Sequence, residues 1–188
     1  MAGIDFTAPA NVVAPQLLGC CVSHNDVTVR LTEVEAYLGA EDAAAHTYRG
    51  RTKRNAAMFG PPGRFYVYLS YGIHLNGNIV CAPEGTGQGC LMRGGEIVEG
   101  EQLARSRRQA KDRARIPYEN LARGPGNLGR ALGLSLDDNG TPVQLTMRTE
   151  EPEWVVGPRI GISKNAGAPY RFWIPRNKTV STPRGYPK

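Results

Sequence analysis

The chain has 188 residues, of which 40% are hydrophobic and 21% charged, and its formal net charge is +6. This length suits one globular domain of roughly 100–200 residues, and it can bury a substantial core without disulfides. No apolar run is long enough to span a membrane. The basic balance favours a polyanionic partner. We expect a monomer, and we expect it in the cytosol because no secretory signal pattern opens the chain.

The first strong pattern leads to two acids. Residues 27–31 alternate apolar and polar side chains, which predicts a half-buried strand. Continuing this alternation puts Glu33 and Glu35 on the apolar side, where a carboxylate without a partner is costly to bury. A single buried acid is most simply explained by a nearby arginine or backbone amides. A general base in a pocket is the functional alternative, which Tyr37 and His46 favour by following so closely.

A second predicted strand carries a pair of tyrosines. A Gly-Pro-Pro-Gly turn at 60–63 precedes the β-prone residues 65–69. Alternation puts Tyr66 and Tyr68 on one face, which should meet a wetter surface or a cavity. The apolar residues of the segment, of which Leu69 is the last, should face the core. Tyr71 follows at the turn. Such a pair usually packs at the edge of a core, but the acidic and aromatic residues predicted near it favour a binding site.

Several basic or glycine-rich segments leave two interpretations open. The loop at 49–54 can grip phosphates or be solvated, and its residues favour neither. The glycines at 85–89 lack a phosphate loop's Lys-Ser/Thr ending and predict a hairpin turn. A helix start near 125–128 can bind an anion or simply begin a helix. The remaining predicted elements are helices at 15–22, 96–110 and 129–134, strands at 73–82, 90–93, 143–147, 159–162 and 170–174, and a frayed tail at 175–188.

Together the elements predict an α+β fold, in which one mixed domain spans residues 1–188 with a curved, mainly antiparallel sheet flanked by helices. The four cysteines lack C-x-x-C spacing, so we expect reduced, buried thiols. A zinc site built from Cys81, Cys90 and His46 lacks the usual paired spacing. We therefore predict no metal.

The sequence resembles the alkyladenine (3-methyladenine) DNA glycosylase family over nearly its whole length. The matching segments, in order, are E-V-E-A-Y-L-G-A-E-D-A-A-A-H, R-N-A-A-M-F-G-P-P-G-R-F-Y-V-Y-L-S-Y-G, N-I-V, L-M-R, L-A-R-G-P-G-N-L-G-R-A-L-G-L and R-I-G-I. The resemblance implies excision of alkylated or deaminated purines, such as 3-methyladenine, hypoxanthine and ethenoadenine, from double-stranded DNA. This is base excision repair, in the cytoplasm and at the nucleoid if the source is bacterial.

The resemblance also implies a mechanism. The damaged purine flips out of the duplex and lies between Tyr37 and His46 on one side and Tyr68 on the other. Glu35 is the general base that activates water for attack at C1′, and Arg93 holds that water. No lysine occupies the motifs, so we expect a monofunctional enzyme that leaves an abasic site. It needs no cofactor.

Two further residues match the family's DNA contacts. Tyr71 falls on the residue that fills the vacated stack, and Asn78 falls on the asparagine that rejects normal guanine. His74 departs from the larger aromatic expected there, Asn76 shares a face with Asn78, and the loop at 49–54 is shorter than in relatives. These departures concern lesion range, the choice of gate residue and phosphate contacts.

Two other functions remain open at this stage. A nucleic-acid-binding module without catalysis would use the basic surface and the aromatic side chains to hold single strands. A hydrolase of free nucleosides would use the acid but would lack the steep salt dependence that phosphate contacts impose.

Overall fold

The structure is a computed structural model that describes residues 3–109 and 114–187. It confirms the predicted α+β class: three helices flank a curled, mostly antiparallel sheet. The helices are α1 (Ala10–Leu17), α2 (Glu101–Arg108) and α3 (Pro125–Leu132). The strands are β1 (Cys21–His24), β2 (Val27–Tyr37), β3 (Phe65–Ser70), β4 (His74–Cys81), β5 (Gln88–Glu99), β6 (Gln144–Thr146), β7 (Val155–Gly157) and β8 (Arg171–Trp173).

Strand β2 lies at the centre of the sheet. The strand order is β3-β4-β5-β2-β1-β6, and β8 pairs with β2 beyond the end of β1. One edge of β2 therefore meets β5, while the other meets β1 and then β8. The stretch from Glu33 to Glu35 pairs on both sides, so its backbone is held rigidly.

A shift of register in β2 re-aims its acids. The pairing of β2 with β5 is irregular around Glu33, and such a bulge flips the side chains that follow it to the other face. Val29 and Leu31 belong to the hydrophobic core, but Val34 and Ala36 continue it in the opposite phase. The prediction that the two acids lie on the apolar side was therefore wrong, although both are completely buried.

Strand β5 is longer than predicted. It continues through Gly94 and Gly95, which were expected to end it, and runs to Glu99. A Cβ on Gly95 would lie 2.3 Å from a Val29 methyl group, and a Cβ on Gly94 would lie 2.7 Å from the Thr179 carbonyl oxygen. These glycines permit close packing against neighbouring segments.

Other boundaries also differ from prediction. Helix α1 begins and ends five residues before the predicted 15–22 range, and α2 begins after β5 at Glu101. Residue 110, the predicted end of that helix, lies outside the described residues. The segment 159–162 is a loop and not a strand. Leu69, assigned to the core, is 41% exposed because β3 runs out towards solvent there.

The segment predicted to fray packs against the sheet. Thr179 and Val180 are buried, and the Ser181 N–H donates to the Glu33 Oε2 at 2.8 Å. Arg171 on β8 donates to the carbonyl oxygens of Ser181 and Pro183 at 2.9 Å each. Composition alone suggested a loose tail, but it does not show the contact with Glu33, which is 148 residues from Ser181. Residue 188 lies outside the described residues.

Candidate active site

One cavity of about 570 Å³ opens between the β3–β4 hairpin, the start of α3 and the loop after β7. Six of the seven residues singled out from the sequence line it: Tyr37, His46, Tyr68, Tyr71, Asn78 and Arg93. The seventh, Glu35, lies directly behind Tyr37 and Arg93 and hydrogen-bonds to both. The seven side chains therefore belong to one site.

Glu35 is completely buried and has partners on both carboxylate oxygens. Its Oε1 accepts the Ile160 N–H at 2.8 Å. Its Oε2 accepts the Tyr37 hydroxyl at 2.9 Å and an Arg93 N–H at 3.4 Å. Burial raises the pKa of Glu35 above its ordinary value, although Arg93, Ile160 and Tyr37 oppose this shift. A carboxyl group whose pKa is raised accepts a proton more readily once it is ionised.

A second buried acid shares the same arginine. Glu33 Oε1 accepts from Arg93 Nε at 3.2 Å and from Arg171 Nε at 2.7 Å. Two carboxylates thus face two guanidinium groups below the cavity. Burial lowers the pKa of Arg93, but Glu35 and Glu33 more than offset it and leave that pKa above its ordinary value. We call Glu33, Glu35 and Arg93 the floor of the cavity.

Tyr37 is fixed from behind by residues that sequence reasoning missed. The Arg159 guanidinium lies 4.5 Å from the Tyr37 ring centroid and forms a buried ion pair with Asp42. Burial raises the pKa of Asp42, but hydrogen bonds from Arg159 and Asn165 leave it below its ordinary value. The sequence did contain a signal for this ion pair. Asp42 lies in the motif E-D-A-A-A-H, and Arg159 lies in the motif R-I-G-I.

The aromatic side chains form a compact group. Tyr66 and Tyr68 share the face predicted for them, with ring centroids 5.7 Å apart. His46 meets Tyr68 edge-on, with centroids 4.4 Å apart and planes at 81°. Burial, with Arg54 nearby, lowers the pKa of His46, which favours a neutral ring. Burial raises the pKa of Tyr66 to about 12, so its hydroxyl stays protonated.

The two asparagines of β4 differ in their contacts. Asn78 pairs across the hairpin with Tyr66 and donates to its carbonyl oxygen at 3.1 Å. Asn76 donates to the Tyr68 hydroxyl at 3.1 Å, while its Oδ1 has no hydrogen-bond partner within residues 3–109 and 114–187. Both side chains are buried and line the cavity, so position alone does not single out one as the gate.

The outer edge of the cavity is exposed and apolar. Tyr71 is 90% exposed at φ 49°, and Ile73 is 73% exposed. A left-handed backbone at a tyrosine is uncommon and costs folding energy. His74 packs against the start of α3, where a Cβ on Gly126 would lie 2.7 Å from the His74 ring. We call Tyr71 and Ile73 the rim.

The basic loop before the cavity is ordered by its own contacts. The Asn55 side chain donates to the carbonyl oxygens of His46 and Gly50 at 3.0 Å each. Arg54 donates to the Leu69 carbonyl at 3.1 Å and lines the cavity. Arg49 and the other cations of this loop stay exposed. These contacts decide neither of the two interpretations, a phosphate-gripping loop and a solvated one.

Neither a metal cluster nor a membrane helix is present in the part of the chain that the structure describes. No three His, Cys, Asp or Glu side chains there converge to hold an ion. The Cys81 and Cys90 sulfur atoms lie 3.5 Å apart as free thiols. None of the described helices is both long enough and apolar enough to cross a membrane.

Known proteins resemble this chain over nearly its whole length. The family description "methylpurine-DNA glycosylase" matches residues 4–178. A protein of Corynebacterium efficiens is 62% identical over 98% of this chain and 97% of its own length. A Corynebacterium glutamicum protein is 61% identical over 98% of each chain. A Cutibacterium acnes protein is 47% identical over 96% of this chain and 99% of its own. All three bear the name "Putative 3-methyladenine DNA glycosylase". The chain therefore belongs to the methylpurine-DNA glycosylase family of DNA-repair enzymes.

Proposed function

We propose that this enzyme flips alkylated or deaminated purines, such as 3-methyladenine, hypoxanthine and ethenoadenine, out of double-stranded DNA and hydrolyses their N-glycosidic bonds. The observation that supports this most is the buried, partnered carboxylate of Glu35 behind an aromatic cavity. A purine cannot be attacked inside the stack, so a pocket that accepts an extruded base is needed.

Glu35 is the general base in this proposal. It accepts a proton from a water molecule, whose oxygen attacks C1′ as the purine leaves with the electrons of the C1′–N bond. The sugar carries positive charge on the way, which the carboxylate also stabilises. Arg93 holds the attacking water. Its contact to Glu35 Oε2, at 3.4 Å, is the longest of the three and is the one that water can most readily replace.

The aromatic group supplies the binding surface for the flipped base. Tyr37 and Tyr68 stack on it, and a neutral His46 avoids repelling a cationic alkylpurine. Stacking on an aromatic side chain is worth about 1–3 kcal/mol per base. His46 and Tyr68 touch edge-on, so a base between those two rings requires the His46 ring to move aside.

Two residues act on the DNA around the flipped base. Tyr71 at the rim fills the space that the purine leaves in the stack, because its ring projects from the surface. Asn78 is the gate that crowds the exocyclic amine of normal guanine. Its hydrogen bond to the Tyr66 carbonyl keeps its amide in one orientation, which suits rejection by an obstacle.

The enzyme works as a cytoplasmic monomer on duplex DNA in this proposal, without a cofactor. No lysine lies among the described residues that line the cavity. Without a Schiff base, the product is an abasic site in an intact strand. A non-catalytic binding module would also use the aromatic group and the basic surface, but it gains nothing from burying a carboxylate behind them.

The test is base release from defined duplexes. The enzyme is incubated at fixed salt with duplexes containing 3-methyladenine, hypoxanthine or ethenoadenine, and with undamaged duplex. We expect free base and strands that break only after alkali. Binding without release favours the non-catalytic module, breaks before alkali contradict monofunctional chemistry, and activity on free nucleosides favours the small-molecule hydrolase.

A further inference from the structure

We propose that Glu33, Arg171 and the C-terminal segment (residues 177–185) position Arg93 for the reaction at Glu35. This inference rests on the proposed function and extends it to groups that touch neither base nor sugar. A chain of direct contacts runs from the C-terminal segment, through the buried side chains of Arg171 and Glu33, to Arg93.

Glu33 binds the Arg93 guanidinium through a different nitrogen atom from the one that contacts Glu35. Arg93 donates through Nε to Glu33 and through an Nη to Glu35. A guanidinium is a planar fork with fixed directions, so the contact to Glu33 sets where the far end points. Without it, Arg93 is free to turn both ends towards Glu35 and to fill the space that the attacking water needs.

Glu33 is itself fixed by two further donors. Arg171 Nε approaches its Oε1 to 2.7 Å, and the Ser181 N–H approaches its Oε2 to 2.8 Å. The side chains of Arg171 and Glu33 are both almost completely buried. Because a buried charge is costly unless its hydrogen bonds are satisfied, this arrangement allows little freedom to the Glu33 carboxylate.

The C-terminal segment closes the arrangement from outside. It accepts two hydrogen bonds from Arg171, at Ser181 and Pro183, and one from the Trp173 ring at Gly185. The Thr179 hydroxyl lies 2.7 Å from that of Thr32. Gly94 leaves room for this segment, because a Cβ there would strike the Thr179 carbonyl.

Charge balance gives the inference a measurable consequence. The charged or titratable groups around Glu35 are Glu33, Tyr37, Tyr68, Arg93 and Arg159, with Arg171 behind Glu33. Removing the Glu33 charge leaves Arg93 and Arg171 facing one carboxylate. That lowers the pKa of Glu35 and moves the acid limb of the rate profile to lower pH.

The experiment compares Glu33→Gln with wild type in single-turnover release of 3-methyladenine from methylated duplex between pH 5 and pH 9. This cationic base leaves without protonation, so the acid limb reports the general base. We expect a plateau rate lower by about 10–100-fold, because misplacing a group that holds a reactant costs up to about 100-fold, with an unchanged enzyme concentration at half-maximal rate. We also expect the acid limb to move down by about one pH unit, equivalent to tenfold in ionisation.

Matched variants separate positioning from folding. Glu33→Asp keeps the charge and should keep the acid limb. Glu101→Gln removes a partly exposed carboxylate on α2 that pairs with Arg105, far from the cavity lining, and should leave both the plateau rate and the acid limb unchanged. Ser181→Pro removes the N–H that Ser181→Ala retains, and the proline variant should be slower by about tenfold. If Glu33→Gln does not fold, the Ser181 pair decides the question.

The two proposals fail in different ways. If wild type releases no base, the proposed function fails. Carboxyl-carbon NMR of 13C-labelled protein still measures the Glu35 pKa in wild type and Glu33→Gln without any substrate. An unchanged plateau rate in Glu33→Gln, or a lower rate with an unmoved limb, overturns the positioning role, and so do equal rates for the two Ser181 variants.

Discussion

Glu35 on the floor of the cavity is completely buried and partnered on both oxygens, whereas Tyr71 on the rim is 90% exposed. The floor is held by ion pairs, backbone amides and the neighbouring strands before any substrate arrives. The rim instead exposes two large apolar side chains and a left-handed backbone. The floor is therefore preorganised, as the proposed chemistry requires, while the rim exposes apolar surface that would be buried by the proposed contact with DNA.

The largest expected effect comes from breaking the floor. Replacing Glu35 with glutamine removes the proton acceptor but keeps the side-chain shape, so lesion binding should persist. We expect base release to fall by about 1,000-fold, within the range for a general base. Single-turnover excision and a binding titration on the same lesion duplex measure the two effects. Glu101→Gln is the control, and a Glu35→Gln enzyme that cleaves normally removes this residue from the mechanism.

The motifs predicted which residues lie together around the cavity, but not the orientation of the acids. Alternation from Val29 to Leu31 predicted the strand, and the same rule then failed at Glu33. The shift was visible in retrospect, since Val34 and Ala36 carry on the apolar positions one residue out of phase. The bulge lies in the pairing of β2 with β5, and a single strand's sequence does not show its partners.

The contacts between the C-terminal segment and Glu33 were not predictable from the sequence, for a related reason. Ser181 and Glu33 are 148 residues apart in sequence, and a Pro- and Lys-rich segment normally predicts fraying. Gly94 looked like a strand break because glycine weakens strands, yet here it makes room for the Thr179 carbonyl. Long-range contacts of this kind depend on the completed fold.

A substitution at the rim should reduce base release less than Glu35→Gln does. The reduction should depend on the base opposite the lesion. In Tyr71→Ala the vacated stack is left unfilled, so excision of a paired lesion should fall by about 50-fold, in line with the value of one aromatic stack. Mismatched lesions cost less to unstack and should lose less. Excision kinetics on paired and mismatched duplexes test this. Tyr186→Ala, at another exposed tyrosine, should have no effect, and equal losses on both duplexes argue against a wedge.

Asn78, which lines the cavity, should control selectivity, with a smaller effect than the changes at Glu35 and Tyr71. Asn78→Ala removes the amide proposed to crowd the amine of guanine, so release of normal guanine should rise by about tenfold, the scale of one small group in a pocket. Excision of 3-methyladenine should change less. Measuring both activities on one methylated duplex gives the ratio. If Asn76→Ala relaxes selectivity and Asn78→Ala does not, the gate is Asn76.

The smallest effect is on stability and follows from the pKa of Glu35. Burial raises that pKa above 4.5 in the folded chain, so the folded state binds more protons than the unfolded state between the two pKa values. By linkage, the free energy of unfolding contributed by Glu35 is present below pH 4.5 and is lost as pH rises through the folded pKa.

Glutamine carries no titratable proton, so Glu35→Gln should not lose this contribution. Its free energy of unfolding relative to wild type should therefore increase as pH rises through the folded pKa. Chemical denaturation of both proteins from pH 4 to pH 8 measures the difference, and Glu101→Gln against wild type gives the baseline slope. A flat difference for Glu35→Gln would mean that burial does not oppose the Glu35 charge, and preorganisation of the floor would then carry no cost in stability.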